Sequence, residues 1–106
     1  MTIKMEGYVF PDVDWTPIPQ HMREGLFNYI MNGVPTGSFL TAVLCNNLRD
    51  SFAHADDINR HAIYAFVKFL YNDVPSQAHG SPFRVSDWIK QGGGNLRVRE
   101  IATDAN

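Results

Sequence analysis

Between residues 19 and 91 the apolar positions recur at spacings of three and four, the pattern of helices that turn one face to a core. Met22, Leu26, Tyr29 and Ile30 make such a face in a first helix. It starts near Pro19, a residue tolerated in a first turn, and stops at Asn32-Gly33, with Gly33 as a left-handed cap and Pro35 beyond it. Leu40, Val43, Leu44, Leu48 and Phe52 form the stripe of a second helix over 38–54. A third helix over 57–72 carries two stripes. Ile58, Ala62, Ala65, Phe66, Phe69 and Leu70 face the core; Tyr64, Val67 and Tyr71 lie around the cylinder beside Arg60; His61, Lys68 and Asn72 form a narrow polar back. A helix apolar on two sides sits in the middle of a fold or at a subunit contact. Asp56 suits its N-cap, and Val74-Pro75 ends it. Residues 76–80 read as loop. Ser81-Pro82 then opens a short fourth helix with Val85, Trp88 and Ile89 inward.

The predicted class is therefore mainly α: a small four-helix domain built on a central antiparallel hairpin of helices 38–54 and 57–72, whose connection is short. One domain spans residues 1–106. Residues 1–18 form an irregular arm, because Pro11, Pro17 and Pro19 exclude a helix interior, and Trp15 and Ile18 are expected to lie over the core. Residues 19–91 are the helical core. Residues 92–106 are a glycine joint, Gly92-Gly93-Gly94, followed by an extended tail, and residues 96–101 can pair with 2–9 as a short terminal β pair.

Composition adds limits. With 44% hydrophobic residues in 106, the chain can bury a core of its own. Cys45 is the only cysteine, so no disulfide forms within the chain; set mid-helix in an apolar run, it reads as a small buried hydrophobe. The net charge of −2 is spread evenly, and without a basic block bulk nucleic-acid binding is excluded. No apolar run approaches a membrane span and the first residues lack a signal-peptide pattern, so a soluble cytoplasmic protein is expected.

Chemistry is sparse. The four histidines match no metal-ligand spacing. Asp56 and Asp57 are adjacent and point about 100° apart on a helix, so they make no acid pair. Ser38, Ser51 and Ser81 have cap or surface roles, and the glycine run follows a helix instead of opening one, so it is no phosphate loop. An enzyme is not expected, nor a cofactor. Three features stand above this background. Ser38 and Ser81 place free backbone amides at helix starts, where Arg49, Arg60 and Arg84 could supply donors for phosphates; equally, the serines are plain caps. Asn47, on the core side of the second helix, must find a partner in a loop backbone or in a ligand. Tyr64, Val67 and Tyr71, with Phe83, either stand exposed as a partner face or lie under the arm that carries Tyr8, Phe10 and Trp15.

The stretch Val34-Pro35-Thr36-Gly37-Ser38-Phe39-Leu40-Thr41-Ala42-Val43-Leu44-Cys45-Asn46-Asn47-Leu48 resembles the core signature of a family of short, uncharacterised proteins of tailed-phage and prophage genomes. Ala55-Asp56, Tyr71-Asn72-Asp73-Val74-Pro75, Gly80-Ser81-Pro82 and Trp88-Ile89 continue that likeness over about residues 20–93, while Ala78-His79 stands where the family has an aromatic residue next to the glycine. The resemblance implies phage origin and no reaction. By analogy with phage accessory proteins of this size, it implies a non-enzymatic protein of the host bacterial cytoplasm that binds a host factor to inhibit a defence system, with Tyr64, Val67 and Tyr71 as the contact. The alternative is an oligomeric sponge for a nucleotide immune signal, held by Ser38, Asn47, Arg49, Arg60, Ser81 and Arg84.

Overall fold

Helix starts and stops written in the chain set the architecture. A computed structural model describes residues 13–94, in which the order is α1 (Gln20–Asn32), α2 (Ser38–Leu44), α3 (Leu48–His54), α4 (Asp57–His61), α5 (Ile63–Asp73), a 3-10 turn (Ser76–Ala78) and α6 (Pro82–Lys90). The protein is mainly helical, with no strand among the described residues. The terminal strand pair expected of residues 2–9 and 96–101 lies outside them.

The caps explain several boundaries. Pro19 precedes the first residue of α1, and Gly33 closes that helix at φ 69°, its N–H donating to the Tyr29 carbonyl at 2.9 Å. The Asp56 carboxylate accepts from the Asn59 N–H at 2.6 Å, and Ser81 Oγ accepts from the Arg84 N–H at 3.2 Å with Pro82 in the first turn. Each such cap typically contributes about 1 kcal/mol.

Both long helices of the expected hairpin are broken. The segment 38–54 stops at Cys45 because Asn46 takes a left-handed conformation, φ 63°, its N–H bonding the Val43 carbonyl and that of Asn47 the Ala42 carbonyl. This is a Schellman stop with asparagine in the usual glycine place. Asn47 then restarts the chain as the N-cap of α3, accepting from the Asp50 N–H at 3.0 Å and donating to the Asp50 carboxylate at 2.9 Å. Asn47 is thus an exposed cap and does not lie on the core side. Leu48 and Phe52, beyond the stop, are exposed and off the stripe assigned to them. Cys45 ends α2 and is not mid-helix.

The second break falls at Ala62, whose N–H bonds the Asn59 carbonyl three residues back. That turn resets the helical phase. Ile58, expected in the core, is 62% exposed; Asn59 and Ile63 take the inward positions instead.

The core is one cluster. Ile18, Leu26, Tyr29, Ile30, Leu44 and Phe66 are fully buried at its centre. Trp15 lies against Phe69 with ring centroids 4.9 Å apart, and Phe39 of α2 meets Phe66 of α5 edge-on at 5.2 Å. The described part of the arm is anchored as its sequence suggests, with Trp15 and Ile18 buried and Arg23 Nε donating to the Ile18 carbonyl at 2.8 Å. Tyr29 Oη donates to the Ala78 carbonyl at 2.6 Å. Trp88 Nε1 reaches the Tyr29 and Ile30 carbonyls at 3.1 and 3.2 Å, joining the Gly33 N–H on the first and supplying a donor to the second at the end of α1.

Within the glycine run, Gly93 is packed against the end of α1. Gly93 is buried at φ 71°, and a Cβ on it would stand 2.5 Å from the Gly33 nitrogen; one on Gly33 would stand 2.7 Å from the Gly93 nitrogen. The end of α1 and the chain after α6 meet backbone to backbone, which only glycine permits.

Candidate functional site

Helix α5 positions the largest apolar side chains that the core does not take. Its inward residues, Ile63, Phe66, Phe69 and Leu70, are all buried. Tyr64, Val67 and Tyr71 follow a second three-and-four spacing and emerge on the opposite side, 71%, 53% and 82% exposed. The described part of the arm does not cover them: Trp15 is spent on Phe69 and Phe27. Tyr8 and Phe10 lie outside the described residues. Phe83, in the first turn of α6, is also exposed.

A cleft flanks this ridge on each side. One, of about 410 Å³, runs along Tyr64, Lys68 and Asn72 and is bordered by Asp14, Pro17 and Asp73. Asp14 is held below the ordinary carboxylate value by hydrogen bonds from the Thr16 hydroxyl and N–H, so it stays charged there. The other, of about 220 Å³, lies between the end of α2 and α5 and includes Val67, Tyr71 and Arg84. The ridge therefore has carboxylates at one border and a guanidinium at the other.

A third cleft, of about 360 Å³, opens between α2 and α3, with Thr36, Ser38, Thr41, Asn47, Asp50 and His54 among its lining. Cys45 borders it, its thiol pushed up by burial and so protonated at neutral pH. Among the described residues no three of His, Cys, Asp and Glu are grouped to hold a metal.

The residues assigned to phosphate binding are dispersed. Ser38 and Asn47 share the α2–α3 cleft, but the Asn47 amide is committed to Asp50, whose carboxylate would repel an anion. Arg84 borders the other cleft. Arg60 pairs with Asp57 within α4, Ser81 caps α6, and Arg49 lies exposed on α3. The partner-face residues, by contrast, form one surface. His21 finds a role that its sequence context did not suggest: its Nε2 lies 3.1 Å from the Asp56 carboxylate, tying the start of α1 to the cap of α4. That carboxyl is held below its ordinary value, first by the Asn59 N–H and then by His21.

Asn46, His79 and Gly80, which were not among the assigned site residues, line the smaller cleft. The signal for Asn46 was present in the Asn-Asn pair; His79 and Gly80 arrive there only through the tertiary bond from the Gly80 N–H to the Leu44 carbonyl, 2.7 Å long. No described helix is long and apolar enough to cross a membrane. Comparison with family models, with curated proteins and with solved structures finds no match to this chain.

Proposed function

We propose that the chain is a non-enzymatic phage accessory protein that acts in the host cytoplasm by binding a host protein through the outer face of α5, most simply to inhibit a defence system. The observation that carries the binding half of this reading is the ridge of Tyr64, Val67 and Tyr71, exposed on a helix whose other face is complete. Tyrosine is among the commonest anchors of protein interfaces, since it buries a large ring and keeps a polar tip. The phage and host half rests on the resemblance carried by residues 34–48.

The test is comparative capture. Tyr64→Ser with Tyr71→Ser removes two anchors that touch little of the core, so helicity and melting temperature should hold. Two interface tyrosines at about 2 kcal/mol each correspond to a loss of affinity of about a thousandfold. A host protein retained by the parent chain and absent from the double variant supports the reading. Equal retention by both contradicts it.

A further inference from the structure

The smaller cleft beside the ridge is chemically asymmetric. Val43, Val67 and Leu70 form an apolar wall, and Asn46, Tyr71 and Arg84 stand around it. Arg84 is fixed by its own turn: Nη1 donates to the carbonyls of Ser76 and His79 at 3.3 and 3.4 Å. The ion pairs among the described residues are His21 with Asp56 and Arg60 with Asp57, so among these residues Arg84 has backbone partners and no carboxylate. A guanidinium carries five N–H donors in a planar fork, so Nε and Nη2 remain for an acceptor. His79 adds no second positive charge near neutral pH, because burial, aided by Arg84, favours its neutral form.

Size and continuity narrow the occupant. At about 220 Å³ the cleft is below the usual range of about 300–1,000 Å³ for small-molecule sites, and it suits a single side chain. Val67 and Tyr71 belong both to its wall and to the exposed ridge. We propose that the cleft receives a glutamate or aspartate side chain of the bound protein partner, with its methylene stem against Val67 and Leu70 and its carboxylate on the free side of the Arg84 fork. The partner segment is thus acidic at this point. The assignment rests on the reading of α5 as the partner face.

The experiment is an amide-resolved NMR titration of the full chain with acetyl-Leu-Glu-amide, with acetyl-Leu-Gln-amide, and with inorganic phosphate. The glutamate probe should shift the Val67, Gly80 and Arg84 amides saturably and bind at least about tenfold tighter than the glutamine probe, because a charge-assisted hydrogen bond is lost in the latter. Arg84→Lys should weaken it and Arg84→Met abolish it. Val67→Asp, at an exposed position, should also abolish it and guards against an Arg84 variant that fails to fold. Equal shifts from the two dipeptides, no shifts, or shifts at these amides from phosphate alone would overturn the assignment. If the cleft stays silent while Tyr64→Ser with Tyr71→Ser still loses the captured protein, the cleft assignment falls and the ridge reading stands.

Discussion

Replacing Gly93 with alanine tests whether the segment after α6 is a packed contact. The new Cβ would sit 2.5 Å from the Gly33 nitrogen, 2.7 Å from the Asn32 nitrogen and 2.8 Å from the Met31 carbonyl carbon. All three are backbone atoms of the last turn of α1 and its cap, so no side chain can swing aside. Ordinary carbon–nitrogen contact begins near about 3.5 Å, so the two chains must part by roughly 1 Å; overpacking of this kind costs about 1–3 kcal/mol. The left-handed conformation, φ 71°, adds about 1–2 kcal/mol for any residue with a Cβ. Together these give about 2–5 kcal/mol from a total stability of about 5–15 kcal/mol. In a domain of this size the melting temperature should fall by about 10 °C or more. Urea unfolding followed by far-UV circular dichroism measures the change. Gly37→Ala is the control: φ there is −71°, nothing lies within 4 Å of the added carbon, and stability should move by no more than about 0.5 kcal/mol. Should Gly93→Ala match that control, the backbone contact is wrong and the glycines are a loose joint after all.

Two further outcomes follow from the core. Tyr29→Phe keeps the ring but strips the Ala78 carbonyl of its buried 2.6 Å donor, and should cost about 1–3 kcal/mol in the same urea assay. His79 has its folded value below the ordinary 6.5, so below that pH the unfolded chain binds more protons than the folded one. Its contribution to stability is therefore whole above 6.5, and falls as the pH drops until the folded imidazole itself protonates. The difference in urea midpoint between parent and His79→Gln, followed from about pH 7.5 to about pH 5, should shrink or reverse on acidification; a constant difference would contradict the half-buried neutral imidazole.

Much of the fold was legible because its boundaries are written in local chemistry. Pro19, Gly33, Asp56, Pro75 and Ser81-Pro82 each act within a few residues, and the structure uses each as its type suggests. The breaks inside the two longer segments were harder for different reasons. Asn46-Asn47 carries a stop and a restart in adjacent residues, and amphipathic spacing continues through it because Leu48 and Phe52 keep the rhythm while facing out. At Ala62 nothing local disfavours helix; the phase change there places Ile63 and Asn59 inside, a preference set by packing. Gly93 read as flexible because close approach to Gly33 is a relation across 60 residues that no local window contains.

The candidate site divides in the same way. That Tyr64, Val67 and Tyr71 share a face follows from helical spacing alone. Whether the described part of the arm covers that face depends on where Trp15 goes, and Trp15 goes to Phe69. The arginines could not be placed from sequence, since Arg60 is claimed by Asp57 and Arg84 by the carbonyls of a neighbouring turn.

The central claim is that the outer face of α5 is a protein-binding surface, and native mass spectrometry of the parent chain and the Tyr64→Ser, Tyr71→Ser variant, each recovered gently from a bacterial lysate, tests it most directly. The account predicts a retained host protein on the parent, none on the variant, and the same helicity for both. A host protein held equally by both, or a retained nucleotide in its place, would contradict it.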